Sequence, residues 1–351
     1  MSTHTYTEDQ LVEQPAIYFF WVAAAPIVRV CRPWRIGRND LMAMDDTYPV
    51  IELQTGWLLG DEQMGSKDKY WMQLPGDSNP WLFKYSRMSA GNVTGEHWAE
   101  KIAAEIAALM GVPHARVELA MLDGHPGSLS QRFTQLSRAG VSVELEHGNA
   151  LLAGYVTGYD RTKKNKQSDH TLRNIIKVVG SLFPKEEARS VALRQLAGYL
   201  VLDALVLNTD RHHENWGVLR TVNPDHMVAY EIAPSFDHAS SLARNEPPEK
   251  LAHWLKKSGR VEHYMHGAHG GIYLEGNSAK GENPYTIAEK AMLDWPEYFA
   301  CWQDVLDKIE QQELERIVDR VPDSMMAKEA KLFVKALLAL TLTKLKGIQR
   351  K

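Results

Sequence analysis

Leu205–Leu219 reads LVLNTDRHHENWGVL, and after a short turn Met227–Leu242 reads MVAYEIAPSFDHASSL. The first block begins as the end of an apolar helix and passes at about Leu207 into a polar loop holding Asp210, Arg211, His212, His213, Glu214 and Asn215. It leaves that loop as the strand WGVL. Asn223, Pro224 and Asp225 supply turn chemistry, MVAYEI returns as a second strand, and Asp237 follows it. An antiparallel hairpin brings the residue before its first strand close to those after its second, so Asn215 and Asp237 are expected to be neighbours. Two hard oxygen donors at one place suit Mg²⁺, which takes one or two protein ligands and completes its shell with phosphate oxygens. Asp210, five positions before Asn215, stands at the loop entrance, where it can orient a hydroxyl or take its proton. This order matches the phosphoryl-transfer template, with an Asp and an Asn on one loop and a later Asp beyond a hairpin.

The same template requires a lysine on a strand of a smaller lobe. NPWLFKYS at Asn79–Ser86 is an apolar strand interrupted by Lys84, and an ammonium buried there needs an anion. Glu100, on the helix TGEHWAEKIAAEIAALMGV that follows, can supply it, and Glu105 is a competing partner. Thr94 is a candidate cap for that helix over 95–110, and Gly111 marks its end. Ala103, Ala104, Ala107 and Ala108 share a face with Glu100, so this face is expected to pack closely against another element. Upstream, Gly65 and Ser66 in GSKDKYWM form a turn feeding a strand, whose backbone N–H groups can cover phosphates.

These motifs, GSKDKYW, WLFKYS, the AEK helix, LNTDRHHENWGVL and IAPSFDHASSL, resemble the HipA-like Ser/Thr kinases, a branch of the protein-kinase and phosphatidylinositol-kinase-like superfamily. The resemblance spans roughly 56–242. It implies an α+β, bilobal kinase-like fold using ATP and Mg²⁺. It assigns Asp210 as the catalytic residue, Asn215 and Asp237 as metal ligands, Lys84, supported by Glu100, as the contact to ATP phosphates, and Gly65 and Ser66 as the nucleotide-covering loop. Ser66 is further implied as a regulatory autophosphorylation site that displaces that loop. A protein substrate, including a component of translation such as an aminoacyl-tRNA synthetase, and an antitoxin-like protein partner are implied as well. The stretch before Gly65 is short for the extra N-terminal subdomain of long HipA-type toxins, which puts the antitoxin contact in question.

The rest of the chain fits this outline. It has 351 residues, 44% of them hydrophobic, enough to bury a sizeable core. Its 40 Lys and Arg against 44 Asp and Glu give a net charge of -4, which argues against a whole-surface basic field for nucleic acid or an anionic membrane. The two cysteines, Cys31 and Cys301, form no CxxC pair, so disulfide frameworks and thiolate zinc sites lack support, and a cytoplasmic setting fits best. The apolar run AIYFFWVAAAPIV at Ala16–Val28 is shorter than the roughly 20 residues of a membrane span and is preceded by Glu8, Asp9 and Glu13 rather than by cations. It reads as a buried strand or packing arm, with Met42 or Met44 as alternative starting residues.

The expected organisation is an N-terminal extension over 1–46, a small lobe of strands plus one helix over 47–134, and a mostly helical lobe over 135–351 that carries the catalytic loop 208–215. After about Arg132 the pattern reads as helical up to the hairpin, and the Gly/His-rich stretch over 267–283 reads as either a substrate-side loop or a disordered insertion. Two other functions compete. Asp210, His212, Asp237 and His238 resemble the ligand set of a metal-dependent phosphohydrolase, although that reading leaves Asn215 and Lys84 without roles. A nucleotide-binding regulator without turnover is the other. His212 is expected to buttress the loop, and His213 and His238 to be partly buried.

Overall fold

The computed structural model describes residues 47–61, 69–89, 91–134, 140–163, 166–276 and 278–349. Gly65, Ser66, the apolar run at Ala16–Val28 and the rest of the N-terminal extension lie outside them. The smaller part of the molecule is built on strands β1 (Val50–Leu53), β2 (Leu58–Asp61), β3 (Lys69–Met72), β4 (Trp81–Tyr85), the short hairpin β5 (Met88–Ser89) and β6 (Asn92–Val93), helix α1 (Glu96–Met110), and strands β7 (Val117–Leu122) and β8 (His125–Gln131). Six of these strands form one sheet in the order β1-β7-β8-β4-β3-β2. β1 runs parallel to β7 and every other pairing in the sheet is antiparallel.

Alternation along β4 decides where Lys84 points. Trp81 and Phe83 enter a small core with Leu53, Met72, Ala120, Leu122 and Leu129, so Lys84, the next residue along the strand, is turned to the opposite face. It is nevertheless buried, at 7% exposure. Its neighbour β8, HPGSLSQ, is central to the sheet but carries a Pro, a Gly and two Ser, and its composition gives no strand signal. Gly127 sits there because a Cβ would lie 2.4 Å from both the Lys84 carbonyl oxygen and the Phe83 ring, so only a bare backbone allows the approach.

The larger part begins with β9 (Ser142–His147) and helices α2 (Gly148–Tyr155), α3 (Leu172–Leu182) and α4 (Glu186–Val206). The expected hairpin follows as β10 (Gly217–Val222) and β11 (Val228–Ile232). Helices α5 (Pro248–Leu255), α6 (Arg260–His266), α7 (Pro284–Asp294), α8 (Pro296–Lys308), α9 (Gln311–Asp319) and α10 (Lys328–Lys346) complete it. The fold is thus α+β and bilobal, as expected. β9 corrects the helical reading of the stretch after Arg132: it pairs antiparallel with β10, with His147 opposite Gly217, and makes a three-stranded sheet of the hairpin.

Helix α1 joins the two parts. Trp98, Ile102 and Ile106 lie in the same apolar core as α4, α8 and α10, and on the small-residue face Ala103, Ala104 and Ala107 are buried while Ala108 is half-buried. Gly111, in the left-handed region at φ 74°, ends the helix and donates back to Ala107 and Ala108. Thr94 does not cap it: Gly95 is the N-cap residue and the buried Thr94 hydroxyl makes no hydrogen bond.

Candidate active site

The polar loop is held from below by one ion pair. Asp203 interrupts the otherwise apolar last turns of α4 and is 3% exposed. Arg211 answers it in a two-pronged contact, Nε to Oδ2 and Nη2 to Oδ1, each 2.7 Å. The remaining Arg211 donors reach Asn215 O at 2.5 Å, Phe236 O at 3.2 Å and Ser235 Oγ at 3.1 Å. A single guanidinium therefore ties α4, Asn215 just ahead of β10 and the residue before Asp237. This is the physical basis for bringing Asn215 and Asp237 to one place, as the hairpin argument anticipated.

Within the loop, Asp210 N–H donates to Asn208 Oδ1 at 3.1 Å, and Asn208 in turn donates to Asp203 Oδ1 at 2.8 Å. The Asn215 amide donates to Asp210 O at 2.8 Å, which closes the loop between the two candidate functional residues. Asp210 itself is exposed, and its Oδ2 accepts from Ser240 Oγ at 3.3 Å. Asp237 adopts φ 56°, a left-handed conformation uncommon outside glycine that reorients its side chain relative to the extended segment before it.

Lys84 forms an ion pair with Asp237, its Nζ lying 3.3 Å from Oδ1. Burial alone would pull the Lys84 pKa down, but the Asp237 and Glu100 carboxylates outweigh it and the net shift is upward, so the ammonium stays charged. Glu100, 1% exposed, uses Oε1 to accept from His238 N–H at 3.0 Å and so anchors the backbone next to Asp237. Glu105 is engaged elsewhere, by Lys101 at 2.7 Å.

The histidines do not form a metal set. His238 and His213 are each 1% exposed, against the expectation of partial burial. Burial holds the His238 pKa well below the ordinary value, so the ring is neutral. Its Nε2 is hydrogen-bonded to Ser235 Oγ at 2.7 Å, and the same hydroxyl accepts from Arg211. His213 Nδ1 bonds the Tyr159 hydroxyl at 2.8 Å. His212 Nδ1 accepts from Glu214 N–H at 3.1 Å and, as expected, buttresses the loop. Among the described residues no group of three or more His, Cys, Asp or Glu is gathered to hold a metal.

Two features pack under the loop. The described residues of the stretch over 267–283 are ordered by their own hydrogen bonds and pack against the loop. Gly270 N–H donates to Glu282 O and Glu282 N–H to Ile272 O, each at 2.7 Å, and Gly271 lies flat against the loop. A Cβ on Gly271 would sit 2.9 Å from Arg211 C and O and His212 N, all backbone. Gly271→Ala should therefore displace the loop and cost about 1–3 kcal/mol in unfolding free energy, read by urea denaturation.

His170 links this pad to the loop exit: Trp216 Nε1 donates to its Nε2 at 3.0 Å and its Nδ1 donates to Gly271 O at 2.7 Å. The Trp216 bond needs the neutral ring, and burial depresses its pKa to about 3. A group whose folded pKa lies below its unfolded value contributes stability that is present above the unfolded value and is lost as pH falls. From an unfolded pKa near 6.5, His170 alone should cost about 2 kcal/mol by pH 5. Burial depresses His97, His114, His213 and His238 in the same direction. Unfolding midpoints should fall between pH 7 and pH 5, and His170→Gln should flatten that slope.

A sheet-based small lobe presenting a buried lysine to an Asp/Asn loop and a following Asp on a helical lobe defines the kinase-like class of folds. Within that class the chain belongs to the HipA-like C-terminal domain family, whose model matches residues 62–328. No curated protein sequence matches it. Among solved structures, it is similar to the Helicobacter pylori proinflammatory kinase CtkA, at TM-score 0.69 and 18% identity, covering 84% of this chain and 95% of that one. It is also similar to HipA of Shewanella oneidensis MR-1, solved with HipB and its operator DNA, at TM-score 0.51 and 12% identity, covering 90% and 74% of the two chains. At these identities the likeness is one of fold.

Proposed function

We propose that this chain is an ATP- and Mg²⁺-dependent kinase that transfers the γ-phosphate to a Ser or Thr hydroxyl of a protein. The observation that carries the reading is the convergence of Lys84, Asp237, Asn215 and Asp210 through β4, the hairpin and the Arg211 tie. The donors fit the groups assigned to them: the Asp237 carboxylate and the Asn215 amide oxygen are the hard ligands Mg²⁺ takes, and Lys84 is a fixed cation for phosphate. Bound Mg²⁺ supplies charge neutralisation on the nucleotide. Asp210, exposed at the loop entrance, orients the acceptor hydroxyl and takes its proton at the carboxylate. Glu100 acts one step away, by fixing the backbone at His238. Gly65 and Ser66 are proposed to cover the phosphates, with Ser66 as a regulatory phosphorylation site.

The small lobe is taken as 47–134 and the helical lobe as 135–351. A toxin-like role with an antitoxin-like partner is proposed, supported by family membership and by the HipA neighbour solved with HipB, and a translation component is proposed as the protein substrate. No helix among the described residues is long and apolar enough to cross a membrane, and a cytoplasmic setting is proposed.

Lys84→Met should weaken ATP binding by about 10- to 100-fold, the range of a lost hydrogen bond to a charged group. Asp237→Asn should blunt the dependence of nucleotide affinity on Mg²⁺. Titration of a fluorescent ATP analogue with and without Mg²⁺ checks both; unchanged affinity in Lys84→Met would remove Lys84 from the site.

A further inference from the structure

The Asp210 carboxylate sits at the end of a hydrogen-bonded chain that crosses to the small lobe. Ser240 Oγ donates to Asp210 Oδ2 at 3.3 Å, Arg244 Nη2 donates to Ser240 Oγ at 2.9 Å, and Arg244 Nη1 donates to Glu96 Oε1 at 2.7 Å in the first turn of α1. The direction of each bond is fixed. The Arg244 N–H occupies a lone pair of the Ser240 oxygen, so the single hydroxyl hydrogen is left for Asp210.

The backbone follows the same path. Thr209 N–H donates to Ser240 O at 3.0 Å, next to Asp210, and Gly95 N–H donates to Arg244 O at 2.7 Å, next to Glu96. Between the two ends, Leu242 and Ala243 are both left-handed, at φ 58° and 61°. Two consecutive non-glycine residues in that region are costly, and such strain persists where the surrounding contacts over-determine it. Here it produces the reversal that returns Arg244 to α1. The ion pair at the far end is shielded, with the Glu96 side chain 3% and the Arg244 side chain 14% exposed. Glu96 Oε2 also accepts from Arg87 N–H at 3.1 Å, just beyond β4 and Lys84.

We propose that Ser240 and Arg244 are positioning residues for Asp210, and that the Arg244–Glu96 pair makes the orientation of the catalytic carboxylate depend on the seating of α1. With Oδ2 held by Ser240, Oδ1 is left for an acceptor hydroxyl, and a small lobe that shifts away from the loop releases that hold. The inference rests on the kinase reading for its catalytic half. The tie between α1 and the 240–244 segment is independent of it.

The test uses the full chain and its Ser240→Ala, Ser240→Thr and Arg244→Ala variants. One readout is phosphate transfer from ATP with Mg²⁺, taken as kcat and KM for ATP. The other is hydrogen exchange of the Gly95–Trp98 amides without nucleotide. Ser240→Ala should lower kcat about tenfold, the lower end for a hydrogen bond to a charge, with KM within about twofold. Ser240→Thr keeps the hydroxyl and should recover most of the rate. Arg244→Ala should lower kcat comparably, add nothing to Ser240→Ala in the double variant, and alone accelerate exchange at 95–98 by about tenfold. An unchanged kcat in Ser240→Ala, failure of Ser240→Thr to recover it, or phosphate found on Ser240 itself would overturn the positioning role. Unchanged exchange in Arg244→Ala would overturn the tie. Absence of transfer in the unmutated chain, with exchange accelerated in Arg244→Ala, would fail the kinase reading and the positioning role while the tie stands.

Discussion

Asp210→Ala will lower phosphate transfer by about 10³-fold, within the 10²–10⁴ range of a positioned general base, while the fold persists. The second half follows from how Asp210 is held. Its N–H bonds Asn208 Oδ1, and its carbonyl oxygen accepts from the Asn215 amide and from His212 N–H at 2.8 Å; alanine keeps all of these backbone groups. What is lost is an exposed carboxylate with one long contact from Ser240. Stability should change by no more than about 0.5 kcal/mol. Nucleotide binding should also survive, because Lys84, Asn215 and Asp237 are untouched. Initial rates of ADP formation beside a thermal melt check both parts. A variant that melts normally and still transfers phosphate would remove Asp210 from its role.

Arg211→Ala will have the opposite profile: a large loss of stability, with activity falling as a consequence. The substitution strands the Asp203 carboxylate, 3% exposed at the end of α4, and removes the shared donor to Asn215 O, Phe236 O and Ser235 Oγ. Breaking a buried pair by deleting one partner costs about 3–5 kcal/mol, because the remaining charge is left unanswered. In a chain of this size that corresponds to a fall in Tm of about 4–7 °C. Arg211→Lys should recover little. A lysine carries a single ammonium and cannot span both Asp203 oxygens while reaching three further acceptors. Urea unfolding of the three proteins distinguishes this from a surface loop arginine, whose removal would stay within about 0.5 kcal/mol.

The contrast between these residues shows what was legible in the sequence. The placement of Asp210, Asn215 and Asp237 was legible because it is set by order along the chain: a helix end, a loop, a hairpin. Lys84 was visible as the one cation in an apolar strand. Its partner was not, because β4 and Asp237 are about 150 residues apart and Glu100 is the nearer carboxylate in sequence. Arg211 reads as one more polar loop residue, yet a signal existed in Asp203, a lone carboxylate in the run YLVLDALV that has to be answered by a buried cation.

The misses in the fold have equally local causes. β8 carries one large apolar residue, Leu129, and its place in the sheet is decided by β4 and β7 on either side. β9 alternates polar and apolar residues over six positions, but it acquires its meaning by pairing with β10 some 70 residues later. The Gly-rich stretch over 267–283 looked like an insertion because glycine reports freedom in sequence. In the structure Gly271 reports close contact, with the backbone of Arg211 and His212 where its side chain would be.

The most direct test of the account is to incubate the unmutated chain with γ-labelled ATP, with and without Mg²⁺, and to follow both ADP formation and the site of the label by mass spectrometry. The account predicts ADP formation that requires Mg²⁺ and label carried on a Ser or Thr hydroxyl of a protein. Phosphate released from simple phosphoesters without any nucleotide, or tight ATP binding with neither ADP nor labelled protein formed, would contradict it.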